Sequence, residues 1–216
     1  MTPRHHPTDD LLMSHAAGTL GDAGDLLVAT HLTLCPACRA ATARFEAVGG
    51  ALIDAAPPID HRDVDAALDA IFATGSAPRL ERPPAPSPGP SWLPEPLRSR
   101  VGPLGDGDWQ RLVPGVIQQV PLDSDAGTLR LVRMRPGAVV PEHGHHGDEL
   151  NLVLSGGFQD RGEHFDRGDL AMADPEVEHD LRVDPSEPCV ILQLLDAPIV
   201  PRTLLGKVVG ALTGES

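Results

Sequence analysis

Apolar residues recur at spacings of three and four through residues 1–75, a pattern that is typical of amphipathic helices. The pattern predicts helical segments at LLMSHAAGTL, DAGDLLVATHLTL, CPACRAATARFEAV and HRDVDAALDAIFATG. Pro36 stands in the first turn of the third segment, where its missing N–H leaves no hydrogen bond unmade. We therefore expect an all-α domain of four helices over residues 1–75.

The helical pattern ends at a proline-rich stretch. Eight prolines fall between Pro78 and Pro96, a density that opposes regular helix and sheet, so residues 76–100 are predicted to be a semi-extended linker. The chain then changes to short apolar runs separated by glycine and proline, among them GVIQQVPL, ELNLVLSG and CVILQLLD. Such runs predict an all-β domain over residues 101–198, built as a small barrel or jelly roll, and leave a tail over residues 199–216.

Composition limits the partners and the core. The formal net charge is -14 and the pI is near 4.9, which argues against direct contact with nucleic acid or an anionic membrane and suits a basic protein partner. Aromatic residues make up only 3% and tyrosine is absent, so we expect each domain to build its own core from Leu, Val, Ile and Ala. Three cysteines, with no secretory signal and no long apolar run, indicate the reducing cytoplasm, where paired cysteines bind metal more often than they form disulfides.

The segment HLTLCPAC carries the first candidate site. His31 and Cys35 share a helix face, and Cys38 lies one turn further along, so three ligands can meet at one tetrahedral metal ion. We also expect the start of the third helix to lower the pKa of the thiolates. A closed site needs a fourth ligand, which either His5 or His6 could supply by folding back. The alternative is a buried cysteine pair beside an unrelated histidine.

The segment PEHGHHGDELNLVLSG carries the second candidate site. From Gly137 to Gly156 the residues follow G-x5-H-x-H-x3-E-x6-G, which matches the first motif of the cupin family, and GDLAMADPEVEH resembles its second motif more loosely. Residues two apart on a strand point to the same side, so the ligands are predicted to face inward. Three imidazoles and one carboxylate suit Zn, Fe, Mn or Ni; we expect a divalent ion, with Zn²⁺ ranked first, the alternative being a barrel that has lost its metal. The expected ligands are His143, His145, Glu149 and His179.

An N-terminal histidine followed by HLTLCPAC resembles the zinc-binding anti-sigma domain, and RHHPTDDLLMSHAAGTL, ATHLTLCPACRA and AVGGAL resemble the ChrR-type anti-sigma factors in particular. The resemblance implies a bound Zn²⁺ in the helical domain and a cupin domain after it. It also favours His6 over His5, a choice that the spacing alone leaves open. The implied zinc ligands are His6, His31, Cys35 and Cys38.

The same resemblance implies a function. The helical domain is expected to bind a group IV (ECF-type) sigma factor in a one-to-one complex and to keep it from RNA polymerase and promoter. The cupin domain is expected to serve the response to singlet oxygen or organic hydroperoxides, after which the sigma factor is released. The protein is thus expected to regulate transcription negatively in the cytoplasm, without direct contact to nucleic acid or membrane.

Two further interpretations stay open at this point. The cupin metal could serve an enzyme, a dioxygenase or isomerase, although so few aromatic residues leave little to line a substrate pocket; we expect no catalytic residues. The apolar stripe of the fourth helix is a candidate sigma-binding surface, but it could equally complete the core of the helical domain. The residues of this stripe are Val64, Leu68, Ile71 and Phe72.

Overall fold

A computed structural model describes residues 2–57, 64–73, 89–113, 115–124 and 127–201 of the chain. Its first part is all-α, as predicted, with the helices α1 Asp9–Ala16, α2 Asp22–Leu34, α3 Pro36–Ala55 and α4 Val64–Ala73. Thr8 is the N-cap of α1, where its side-chain oxygen accepts a hydrogen bond from the Leu11 N–H at 3.4 Å. Within the described ranges, none of the helices has both the length and the hydrophobicity that crossing a bilayer requires.

A fifth helix, α5 (Glu95–Val101), lies inside the segment predicted to be a linker. Prolines do not prevent it, because Pro94 is its N-cap and Pro96 lies in its first turn, where no helical hydrogen bond is lost. Its Leu97 is buried, and its Val101 partly buried, in a cluster that also includes residues of α2 and of the strands. The end of the predicted linker is therefore part of the folded core, while residues 74–88 lie outside the described residues.

The second part of the chain is all-β, as predicted. Its strands are β1 Gln110–Val113, β2 Ile117–Leu122, β3 Thr128–Met134, β4 Val139–His145, β5 Glu149–Ser155, β6 Phe158–Asp160, β7 Glu163–Phe165, β8 Leu170–Ala173, β9 His179–Val183, β10 Cys189–Leu195 and β11 Ile199–Pro201. They form a six-stranded sheet, β1-β2-β3-β10-β5-β8, and a five-stranded sheet, β11-β4-β9-β6-β7. Because β11 pairs with β4, the sheet continues into the predicted tail, of which residues 202–216 lie outside the described residues.

The two sheets together enclose an apolar core inside the barrel. Alternation along β10 shows the arrangement: Cys189 and Ile191 belong to this inner core, whereas Val190 and Leu192 belong to a second cluster on the other face. All seven residues of β10 are buried, as expected for a strand that is covered on both faces. The other large members of the inner core are Ile117, Val132, Met134, Val153, Phe158, Phe165, Leu181 and Val183.

The outer face of the six-stranded sheet is covered by α2 and α5. Leu27 of α2 and Leu97 of α5 are fully buried in one cluster with Leu152 and Leu192 of the sheet. Burying each leucine contributes about 1.5–3 kcal/mol, so this contact holds the two domains together firmly. The expectation that each domain has its own core is wrong in part, because the helical domain keeps only a small cluster to itself: Leu12, Val28, Cys35 and Cys38.

Two candidate metal centres

The four residues predicted to bind zinc meet between the first three helices. His6 precedes α1, His31 lies in the last turn of α2, Cys35 is the N-cap of α3, and Cys38 lies in its first turn. His6 Nδ1 lies 3.4 Å from Cys35 Sγ and 3.3 Å from Cys38 Sγ. His31 Nε2 lies 3.3 Å from Cys38 Sγ. The four ligand atoms all lie within 4.8 Å of one another, which makes the group able to hold a metal ion.

The distances in this cluster fit one tetrahedral ion. With Zn–S near ~2.3 Å and Zn–N near ~2.05 Å, tetrahedral geometry places nitrogen and sulfur about 3.6 Å apart. The observed nitrogen–sulfur distances of 3.3 and 3.4 Å are slightly shorter, so an ion would need only small side-chain movements. His6 is exposed and the other three residues are buried, which leaves the centre open to solvent on one side.

Burial determines the protonation of this centre. It lowers the pKa of His31 to about 4, so the imidazole is neutral at physiological pH and can bind a metal. Burial, together with the hydrogen bond and charge of Cys35, raises the pKa of the Cys38 thiol to about 12. The expectation that the helix start lowers the pKa of the thiolates is therefore wrong for Cys38, because burial outweighs the helix dipole. A bound cation would supply the charge that stabilises the thiolate.

The neighbouring histidine, His5, takes a different place. Its Nε2 lies 3.2 Å from Glu163 Oε2, and its Nδ1 lies 3.4 Å from Asp169 Oδ2. Its ring lies 4.2 Å from the ring of Phe165, measured between centroids. All three partners belong to the β domain. The structure therefore brings His6, and not His5, to the cysteine pair.

The four predicted ligands of the second centre meet inside the barrel. His143 and His145 lie on β4, Glu149 begins β5, and His179 begins β9. His179 Nε2 lies 2.9 Å from His145 Nε2 and 3.2 Å from Glu149 Oε2, and His145 Nε2 lies 3.5 Å from the same oxygen. Ligand atoms ~2.1 Å from a metal lie about 3.0 Å apart at right angles and about 3.4 Å apart in a tetrahedron, so these atoms fit one ion.

Glu149 provides the negative charge of the barrel centre. Burial alone raises its pKa, but its interactions with His179, His143 and His145 lower the pKa further than burial raises it, so the carboxylate stays ionised. Burial lowers the pKa of His143 and His145, which are therefore neutral. Burial also lowers the pKa of His179, but hydrogen bonding to Asp160 and Glu149 outweighs it and raises the pKa to about 9. Glu149 Oε2 is buried without a well-formed hydrogen bond in the described part of the chain, and a metal ion would satisfy it.

Three polar residues that the sequence patterns did not reveal support these ligands. Asp160 Oδ2 accepts a hydrogen bond from His179 Nδ1 at 2.8 Å. Gln193 Nε2 donates to Glu149 Oε1 at 2.7 Å, and Arg130 Nε donates to Gln193 Oε1 at 2.7 Å. All three are buried, and Gln193 and Arg130 interrupt largely apolar strands, which is a signal that could have found them; Asp160 lies in the short strand FQD, which carries no such signal.

The candidate sigma-binding residues are exposed on α4. Their exposed fractions run from 43% at Leu68 to 74% at Phe72, and no residue of α4 is buried. The interpretation that this stripe completes the core of the helical domain is therefore wrong for the described chain. The second half of α3 also exposes apolar residues: Val48, Leu52 and Ile53.

These observations define a two-domain protein in which a helical domain with a His₂Cys₂ cluster is packed against a cupin barrel with a His₃Glu cluster. The family described as the ChrR Cupin-like domain matches residues 99–197. The chain is 38% identical over 210 residues to the anti-sigma-E factor ChrR of Cereibacter sphaeroides, and the match covers 97% of each chain. It therefore belongs to the ChrR family of anti-sigma factors.

A solved structure supports the same assignment. The fold is similar to that in the crystal structure of Rhodobacter sphaeroides SigE in complex with the anti-sigma ChrR, with a TM-score of 0.76 and 38% identity. The match covers 90% of this chain and 100% of the chain compared. The helical domain and the cupin domain therefore follow a known two-domain fold.

Proposed function

We propose that this protein binds a group IV (ECF-type) sigma factor in a one-to-one complex and so prevents it from directing RNA polymerase. The observation that carries the proposal is the similarity to an anti-sigma factor over 97% of both chains. We place the complex in the cytoplasm, where RNA polymerase acts, and we expect no direct contact with nucleic acid or membrane. Because the family is regulatory, we do not propose that the cupin domain is a dioxygenase or isomerase.

The exposed apolar surface of α3 and α4 supports this proposal. Large apolar side chains that are mostly exposed in a single chain usually mark a surface for another protein. In the described residues they are concentrated on these two helices, where Ile53 is 76% exposed and Phe72 is 74% exposed. A formal net charge of -14 for the chain complements the basic surface with which a sigma factor contacts nucleic acid and polymerase.

Two metal ions complete the proposed protein. His6, His31, Cys35 and Cys38 would bind Zn²⁺, because two thiolates and two imidazoles in tetrahedral reach are the ligands this ion prefers. The barrel centre would bind a divalent ion, with Zn²⁺ ranked first among several that suit three imidazoles and a carboxylate. We infer that the barrel centre responds to singlet oxygen or an organic hydroperoxide and that the sigma factor is then released.

A matched pair of variants tests the proposed sigma-binding surface. Leu68 on α4 is 43% exposed and Val139 on β4 is 44% exposed, so the two sites are alike in exposure but lie in different domains. The full chain, co-expressed with its sigma factor, should co-purify with it and block its binding to core polymerase. Leu68→Asp should weaken the complex by at least tenfold, because a buried, unpaired carboxylate replaces an apolar contact. Val139→Asp should leave it unchanged; equal effects of the two changes, or no complex with the parent chain, would reject the proposal.

A further inference from the structure

The short segment before α1 lies against the turn between β7 and β8 of the cupin domain. The Leu170 N–H donates to the His5 carbonyl at 3.1 Å, and the Arg4 guanidinium donates to Asp166 Oδ2 at 2.9 Å. At the same turn, a Cβ added to Gly168 would lie 2.7 Å from Pro3 Cγ, so the two chain segments are in close contact. The residue that follows this segment is His6, a member of the His₂Cys₂ cluster.

Asp169 is the centre of this contact. Its side chain is 1% exposed, and its Oδ1 accepts hydrogen bonds from the backbone N–H groups of Arg4 and His5, the latter at 3.0 Å. Its Oδ2 accepts the Asp166 N–H at 2.9 Å, which closes the turn itself. Burial raises the pKa of the Asp169 carboxyl, but the hydrogen bonds from the backbone lower it by more. The pKa is therefore below its usual value and the carboxyl is ionised. An ionised carboxylate that accepts several backbone N–H groups holds them more strongly than a neutral acceptor does.

The same turn also lies beside the second histidine of the cluster. Burial lowers the pKa of His31, and an interaction of its ring with the backbone of Gly168 raises the pKa by a smaller amount. The Cβ position of Gly168 is 3.4 Å from Leu34 Cβ, at the end of α2. The cupin turn therefore contacts the chain on both sides of the helical cluster, next to His6 and next to His31.

We propose that the turn of residues 166–169 in the cupin domain is part of the helical-domain metal centre, with Asp169 as the positioning residue that holds His6 in place. The inference rests on the proposed zinc site and adds that this site is complete only when the two domains are docked. It also gives a route between the centres: β8 follows this turn directly and pairs with β5, where Ala173 lies opposite the barrel ligand Glu149. A change at the barrel metal can thereby reach a ligand of the sigma-binding domain.

Binding of Co²⁺ to the full, metal-free chain tests the proposal. Thiolate ligands give Co²⁺ an intense charge-transfer absorption, and only the helical cluster contains cysteine, so this absorption reports the helical centre alone. Asp169→Asn should weaken Co²⁺ binding at this centre about 10- to 100-fold, the usual effect of removing a group that orients a ligand. The control is Asp184→Asn, because Asp184 also pairs with a histidine, His164, while its hydrogen bonds in the described part of the chain go to His164, Gly137 and Gly157 and not to the N-terminal segment.

Two further comparisons keep the test decisive if Asp169→Asn does not fold. His5→Ala removes the side-chain contacts to the cupin domain without changing the turn, and it should weaken Co²⁺ binding severalfold. Gly168→Ala should do so more than Gly162→Ala, because both glycines have a positive φ, +96° and +83°, but only the first has the N-terminal segment beside it. Affinities within about twofold of the parent for the folded variants would overturn the inference. Absence of thiolate absorption in the parent chain would instead reject the zinc site itself.

Discussion

The proposed metal ligands inside the barrel are held in place by residues that are themselves buried. Asp160 is 3% exposed and accepts a hydrogen bond from His179 Nδ1, which directs Nε2 of that ring toward the other proposed ligands. A metal ion bound there would displace the proton from Nε2. Gln193 donates to Glu149 and is in turn fixed by Arg130. A metal ligand whose second polar atom is hydrogen-bonded has one tautomer and one orientation. At the scale of single residues, the barrel centre is therefore preorganised for a metal ion.

Asp160→Asn should weaken metal binding in the barrel about 10- to 100-fold, because an amide neither fixes the His179 tautomer nor balances the charge of the ion. Titration of the metal-free chain with Mn²⁺, followed by electron paramagnetic resonance, measures this centre selectively, since Mn²⁺ prefers oxygen and nitrogen ligands to thiolates. Asp180→Asn is the matched control, because Asp180 is the next residue on β9 but is exposed. Equal affinities of the two variants would show that Asp160 does not support the centre.

The ligands and their supporting residues differ in how well the sequence predicts them. H-x3-C-x2-C and H-x-H-x3-E are local patterns, and the geometry of one helix or one strand is enough to place their side chains together. Asp160 and Gln193 instead reach their ligands across 19 and 44 residues of chain, so no local spacing relates them. Likewise, the sequence does not distinguish His5 from His6, and the structure does so through the contacts of His5 with the cupin domain.

At the scale of elements, α2 contributes to both domains. Val28 packs in the small core of the helical domain, Ala23 and Leu27 pack in the core shared with the cupin sheet, and His31, one turn after Leu27, is a member of the His₂Cys₂ cluster. The helix therefore links the first centre mechanically to β10 and β5, the strands that it covers. Arg100 of α5 adds an ion pair to Asp22 at the start of α2.

Leu27→Ala should lower the free energy of unfolding of the whole chain by about 2–5 kcal/mol, because it leaves a cavity in the shared core. Urea unfolding followed by circular dichroism measures this change in the full-length protein. Leu52→Ala on α3 is the control: Leu52 is 69% exposed, so its truncation should change the free energy by less than about 0.5 kcal/mol. If Leu27→Ala left the cupin transition unchanged, the two domains would not unfold as one unit.

The elements that the sequence predicts well are the long ones, in which the apolar spacing repeats several times. Helices α2 and α3 span 13 and 20 residues and show several turns of apolar spacing. Helix α5 has only seven residues, and the prolines around it indicate extended chain unless their positions within the first turn are considered. The shared core was not predictable, because the second apolar side of α2 looks the same whether it packs on its own domain or on a sheet.

At the scale of the whole molecule, the proposed inhibition and the proposed response belong to different domains that pack against each other. The exposed apolar helices α3 and α4 lie in the helical domain, and the barrel centre lies inside the cupin domain. In the described part of the chain the domains meet at the apolar cluster around α2 and α5 and where the N-terminal segment lies on the turn near Asp169. A change at the barrel centre can shift the equilibrium between sigma-bound and sigma-free protein only if it alters one of these contacts. The binding surface can therefore stay intact while the response is lost.

His143→Ala should separate the two activities. His143 is a buried member of the proposed barrel metal site, so its loss should prevent metal binding there and abolish release of the sigma factor after exposure to an organic hydroperoxide or singlet oxygen. Inhibition before exposure should be unchanged, because α3 and α4 are untouched. Transcription in vitro from a promoter that depends on the sigma factor, measured before and after exposure, gives both values.

His146→Ala is the control, since His146 lies three residues further along and is exposed. Loss of inhibition before exposure would mean that the barrel metal is needed for sigma binding itself, and normal release would mean that the signal enters elsewhere.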